Sequence, residues 1–140
     1  MVVDTSALVA LLLGEPETAE FVATIAAASS RVVSAASFLE AAIVMVARSG
    51  PEAKEKLNRL VVDLAIEVVP FTEDQALLAI DAFQQFGKGT GHPAGLNFGD
   101  CFTYALAKAR RDAVLFKGND FLHTDLEKAD VSSTVTSGKE

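Results

Sequence analysis

Short apolar runs alternate along this chain with longer stretches in which apolar side chains recur every three or four residues. Met1-Val2-Val3 gives way at once to Asp4-Thr5-Ser6, then to Ala7 through Leu13 with Gly14 as a stop. This predicts a very short buried strand over residues 2–4 and a helix over 6–13. Pro16 suits the first turn of a second helix running to about Ala28. Arg31-Val32-Val33 reads as a strand, with Ser34 as N-cap for a helix from Ala35 to about Ser49 and Gly50 as its stop. Pro51 opens a helix whose Leu57, Leu60, Val61 and Leu64 share one face. Ile66 to Val69 reads as a third strand closed by Pro70, and Thr72 with Gln75 forms a capping box for a helix to about Phe86. Residues 87–98 hold four glycines and one proline and read as loop. Gly99 or Asn97 then precedes a helix from Asp100 to Arg111. Ala113 to Phe116 makes a fourth strand, Gly118-Asn119-Asp120-Phe121 a turn, and a fifth strand falls near Val131. Residues 132–140 are a polar tail, expected to fray.

Strands separated by helices imply the α/β class, with parallel strands and helices on both faces of the sheet. The 140 residues fit one domain, assigned to residues 1–131. Apolar residues make up 50% of the chain and mean hydropathy is +0.30. So much apolar surface predicts an exposed face for a partner or a second copy; a core heavy in valine and alanine is the alternative. The net charge of −7 excludes a protein that grips nucleic acid by bulk positive charge, so any such contact is local or metal-assisted. The one cysteine, Cys101, rules out an internal disulfide and reads as helix packing rather than as a nucleophile. No run reaches the ~18 apolar residues of a membrane span. Val2 to Leu13 contains Asp4 and lacks a basic start or cleavage site, so it is not read as a signal peptide. The expectation is a cytoplasmic protein.

Three acids change the picture. Asp4 ends the first strand, at the sheet edge where open α/β folds bind ligands, and a carboxylate there is expensive to leave unpaired. Glu40 falls in the second turn after the second strand, within Phe38-Leu39-Glu40-Ala41-Ala42-Ile43, on a helix that reads as buried nearly all round. Asp100 opens the helix before the fourth strand, where the glycine loop permits close approach. Carboxylates gathered at one point repel unless a cation intervenes. Hard oxygen donors suit Mg²⁺ or Mn²⁺. Zinc would want histidine or cysteine, and His92 and His123 lack ligand spacing to Cys101. Phosphodiester hydrolysis is the chemistry such a centre performs best. Asp4 and Asp100 read equally well as helix caps; a buried unpaired Glu40 is harder to explain without a function. Lys117 is the foremost candidate for a phosphate contact. Lys54, Lys56 and Arg59, and Lys108, Arg110 and Arg111, read as solvated faces.

The runs Val2-Val3-Asp4-Thr5-Ser6-Ala7-Leu8, Ser34-Ala35-Ala36-Ser37-Phe38-Leu39-Glu40, Asn97-Phe98-Gly99-Asp100-Cys101-Phe102-Thr103-Tyr104-Ala105-Leu106-Ala107 and Leu115-Phe116-Lys117-Gly118-Asn119-Asp120-Phe121 resemble the successive motifs of PIN-domain ribonucleases of the VapC toxin type. The resemblance covers residues 1 to about 131. It implies a three-layer α/β/α sandwich around a central parallel sheet, here of four to five strands, and Mg²⁺- or Mn²⁺-dependent cleavage of RNA. It also implies a homodimer and a cognate antitoxin that lays a segment near the acidic pocket. By the resemblance, Asp4 and Asp100 are the principal metal ligands, Glu40 is the second acid of the set, and Thr5 or Ser6 supplies a hydroxyl for a ligand water or phosphate. The fourth acid falls at Asn119 or Asp120: an amide at that position would weaken a second metal, and Asp120 would complete the set. Two rivals remain. A receiver-like Mg²⁺-binding signalling domain would need an acid at the tip of the third strand, which Ile66-Glu67-Val68-Val69-Pro70 does not supply. A catalytically silent interaction module would keep the fold and bind no ion.

Overall fold

The computed structural model describes residues 1–131; the polar tail read over 132–140 lies outside the described residues. The elements run β1 (Val2–Val3), α1 (Thr5–Leu13), α2 (Thr18–Ala27), β2 (Val32–Ser34), α3 (Ala35–Ser49), α4 (Ala53–Asp63), β3 (Glu67–Val69), α5 (Glu73–Phe86), α6 (Phe98–Arg110) and β4 (Val114–Leu115). The strands form one parallel sheet in the order β3-β2-β1-β4. A single parallel bridge from Val114 to Lys128 extends it beyond β4, three residues earlier than the fifth strand expected near Val131.

Two-residue periodicity within these short strands builds both cores. Val3, Val33 and Leu115 point to one face and pack with Leu8, Phe21, Ile25, Ala41, Leu57 and Val61 of α1 to α4. Val2, Val32 and Val114 point to the other and pack with Ala82, Phe86, Tyr104 and Leu106 of α5 and α6. A strand covered on both faces has no polar side to show, which is why these runs read as unbroken valine. The result is the three-layer sandwich. Gly14 ends α1 in the left-handed region at φ 63°, its N–H closing onto the Ala10 and Leu11 carbonyls, a conformation that favours glycine.

The order of the strands places the site. The chain adds β2 and β3 on one side of β1, then crosses back to lay β4 on the other, so direction reverses between β1 and β4. Ligands of open α/β sheets bind beyond the strand C-termini at that reversal. Residues 4–6 leave the sheet there from β1, and residues 116–120 leave from β4.

Two expectations need correction. Helix α6 starts at Phe98 with Asn97 as its cap, so Asp100 is its third residue, not its first. Helix α3 is not buried nearly all round: Leu39 is 58% and Ile43 60% exposed, and Glu40 is half-buried. The buried stripe of α3 is Ser37, Ala41 and Met45, four residues apart as a helix face requires. The apolar excess therefore lies partly outside the core. On α5, Leu77, Ile80 and Phe83 are exposed, and Phe98 of α6 is 79% exposed. Among the described residues no helix is long and apolar enough to cross a membrane.

Candidate functional site

Asp4 caps α1 at the sheet edge. It follows β1 in extended conformation and caps α1, its Oδ2 accepting from the Ser6 N–H at 3.0 Å and from the Ser6 hydroxyl at 2.7 Å. Its Oδ1 accepts from the Thr103 hydroxyl at 2.5 Å. A carboxylate offers about four lone-pair directions. Three are used, and the free one belongs to Oδ1. The side chain is buried. Burial pushes its carboxyl above the usual range, the Ser6 and Thr103 hydrogen bonds pull it down, and the charge of Asp120 pushes it up again.

Asp100 is also buried. It closes a capping box with Asn97, accepting from the Asn97 N–H on Oδ2 at 3.0 Å while its own N–H donates to Asn97 Oδ1 at 2.9 Å. Its carboxyl is raised from 3.8 to about 7, chiefly by burial; the Asn97 bond opposes the rise, and the charges of Asp120, Asp4 and Glu40 add to it. Asp4 and Asp120, 116 positions apart in the chain, thus act on one carboxyl group.

Glu40 reaches the same place across α6. A Cβ on Gly99 would overlap the Glu40 carboxylate, so glycine beside Asp100 is what lets Glu40 lie there. Asp120 is exposed in the turn after β4, and its charge acts on both Asp4 and Asp100. Asn119, also exposed, accepts from the Leu122 N–H through its carbonyl. Of the two fourth-position candidates, Asp120 is the one whose charge reaches the site.

The remaining candidates are engaged inside the protein. The Thr5 hydroxyl donates to the Ser37 carbonyl at 3.0 Å. The Ser6 hydroxyl also accepts from the Lys117 N–H at 3.0 Å, tying the exit of β4 to the exit of β1. The Lys117 ammonium lies 3.5 Å from Glu15 and 3.4 Å from Glu17. His92 accepts from the Ala94 N–H and meets Phe86 edge to face, a loop-shaping role. Cys101 is buried and donates to the Asn97 carbonyl, and burial pushes its thiol up, the reverse of an activated nucleophile. Sequence reasoning missed Thr103 and Ser37. The signal for Thr103 was its spacing: three residues after Asp100, it lies on the same helix face.

Among the described residues, no lysine or arginine pairs with Asp4, Glu40, Asp100 or Asp120. No three His, Cys, Asp or Glu side chains among them close into one ligand shell either. Unclaimed oxygen donors on two carboxylates, further acids within electrostatic reach and no soft ligand fit Mg²⁺ or Mn²⁺. Such ions keep several waters and take one or two protein carboxylates.

Comparison with known proteins identifies the family. The profile of the PIN domain family matches residues 1–127. Ribonuclease VapC28 of Mycobacterium tuberculosis is 48% identical over 129 residues, covering 92% of this chain and 97% of the relative. In fold, the chain is similar to the crystal structure of M. tuberculosis VapC20, a Sarcin-Ricin loop cleaving toxin (TM-score 0.72, 17% identity, 89% of this chain and 95% of that one). It is also similar to a chain of a toxin–antitoxin complex from Klebsiella pneumoniae (TM-score 0.65, 19% identity, 89% and 92% covered).

Proposed function

The chain belongs to the PIN domain family and to its VapC-type branch, and from that premise we propose that it is a divalent-metal-dependent endoribonuclease, the toxin of a toxin–antitoxin pair. One observation carries the reading. Asp4 and Asp100 are buried, burial and like charge disfavour their ionisation, and no cationic side chain among the described residues answers them. Mg²⁺ or Mn²⁺ bound there would supply positive charge toward the phosphoryl oxygens and a lowered pKa for water.

The protein's own groups divide the remaining work. Asp4, whose Oδ1 keeps one lone pair free of hydrogen bonds, and Asp100 would hold the ion. Glu40, half-buried above Gly99, contributes directly or through a water that it orients and from which it accepts a proton. Asp120 completes the acidic rim on the side of β4. Ser6 fixes Asp4 and links it to the Lys117 main chain, while Thr5 ties α1 to α3. We assign the contact with a phosphate entering beside β4 to the Lys117 ammonium, which now lies between Glu15 and Glu17, and to Asn119. Attack of that water on phosphorus forms one P–O bond as the bond to the 3′ oxygen breaks, and the departing oxygen takes a proton from solvent, which leaves 5′-phosphate and 3′-hydroxyl ends. With a net charge of −7, the RNA is held at this edge and not by the surface at large.

The assembly we propose is a cytoplasmic homodimer inhibited by an antitoxin segment laid near the acidic pocket. The dimer face is the apolar groove of about 560 Å³ between α5 and α6, with Phe71, Ile80, Phe83, Phe98 and Phe102 among its lining residues. Ile80→Asp should convert a dimer into a monomer by light scattering. The central test is incubation of the antitoxin-free protein with total cellular RNA, with Mg²⁺ and with EDTA, followed by mapping of new 5′ ends. Discrete 5′-phosphate ends that vanish with EDTA are expected. Ends that persist in EDTA, or no cleavage of any RNA, would reject the assignment.

A further inference from the structure

We propose that Thr103 and Ser37 are positioning residues, a buried pair of hydroxyls that holds the Asp4 carboxylate in the orientation that leaves one lone pair free. The proposal rests on the reading of Asp4 as a metal ligand. Both residues are fully buried, so water cannot replace either hydroxyl. A threonine inside a helix ordinarily returns its hydroxyl to the carbonyl four residues back. Thr24 does so, donating to Glu20 at 2.8 Å. Thr103 instead donates to Asp4 Oδ1, 99 residues away in the chain.

The second hydroxyl fixes the direction of the first. Ser37 Oγ lies 3.3 Å from Thr103 Oγ1. Thr103 has one proton, which an ionised Asp4 takes, so Ser37 donates to Thr103. The Ser37 carbonyl in turn accepts from Thr5, the residue after Asp4. The chain of contacts runs from α3 to α6 to the β1–α1 junction and back to α3. With Ser6 holding Oδ2 and Thr103 holding Oδ1, the carboxylate plane cannot rotate. Groups that orient a metal ligand from behind typically change metal affinity about 10–100-fold when removed.

The test measures Mn²⁺ affinity by the paramagnetic resonance of free Mn²⁺, beside circular dichroism in EDTA and steady-state RNA cleavage. Thr103→Ala should fold, bind Mn²⁺ about 10–100-fold more weakly and cleave correspondingly slowly at subsaturating Mn²⁺. Thr103→Ser, which loses the same methyl but keeps the hydroxyl, should restore affinity to within about threefold of the parent. Ser37→Ala should shift affinity in the same direction by less, and Thr24→Val not at all. Equal losses in Thr103→Ala and Thr103→Ser would assign the effect to packing and overturn the proposal, as would parental affinity in Thr103→Ala. If Thr103→Ala does not fold, Ser37→Ala decides: unchanged Mn²⁺ affinity overturns the relay. A parent protein that binds no Mn²⁺ removes the metal reading and this proposal together, and the parent measurement alone reveals it.

Discussion

The two ends of α6 treat acids in opposite ways. At its start, Asp100 stands buried with a carboxyl raised to about 7 and no cation beside it. Toward its end, Asp125 is clamped onto the helix by Lys108 at 2.6 Å and by the Tyr104 hydroxyl at 2.6 Å. Those contacts outweigh desolvation and lower the Asp125 carboxyl. Arg110, in the last turn, likewise reaches Asp112. This fold therefore satisfies acids where it needs them for structure. What sets the other end apart is burial: Asp4 and Asp100 are the buried acids among the described residues and neither meets a cation, and buried charge left unsatisfied is where function is sought.

The comparison breaks most sharply on activity. Asp100→Asn and Asp4→Asn should each lower RNA cleavage by about 10³-fold or more, a loss on the scale seen when a principal charge-stabilising group is removed, while circular dichroism shows the fold retained. Asp125→Asn should leave cleavage per folded molecule unchanged. Parental cleavage by Asp100→Asn would place the chemistry elsewhere.

A smaller effect is expected from Gly99→Ala. The added Cβ meets the far end of the Glu40 side chain, which can swing away, so the helix survives and Glu40 leaves the site. Cleavage should fall about 10–100-fold, the scale of a lost group that orients the metal site, with little change in melting temperature. A variant with full activity would remove Glu40 from the mechanism.

Stability against pH separates the two ends by sign. A carboxyl whose folded pKa lies above its unfolded value contributes stability below the unfolded value and loses it as pH rises through the folded one. Without metal, Asp100 should therefore lower the melting temperature as pH climbs from about 4 to about 7. Mg²⁺ should restore it, and Asp100→Asn should flatten that limb in EDTA. Asp125, lowered in the folded state, contributes above its ordinary value and loses that contribution in acid, so Asp125→Asn should flatten the acid limb instead. A metal-free profile that rises from about pH 4 to about pH 7 would contradict the raised Asp100 carboxyl.

The fold was legible because strands buried on both faces are nearly pure valine and the helices carry clear caps at Ser34 and Thr72. The acids were legible because carboxylates at strand ends and helix starts stand out against apolar neighbours. Thr103, Ser37 and the role of Gly99 were not, since a hydroxyl among helix residues looks the same whether it bonds its own helix or a carboxylate 99 positions away. Asn97 was left open against Gly99 as the cap of α6, because both residue types serve as N-caps. The exposure of Leu39 and Ile43 was missed because an apolar helix reads the same whether a second copy or its own core covers it.

The smallest effect tests the structural end by itself. Lys108 and Asp125 are 40% and 47% exposed, so their ion pair lies in the regime worth about 0.2–1 kcal/mol. Tyr104 is buried and places its hydroxyl on Asp125, so more of the clamp rests on that bond. Tyr104→Phe keeps the ring packed against Phe86 and removes only the hydroxyl. Asp125 retains Lys108 and gains water, so no buried group is left orphaned. The loss should then be about 1 kcal/mol, read as a melting temperature lower by about 2–6 °C, with cleavage and Mn²⁺ affinity unchanged. A drop in Mn²⁺ affinity would mean that the two ends of α6 are mechanically coupled, and that the helix transmits the Asp125 clamp through Thr103, the residue before Tyr104, to Asp4.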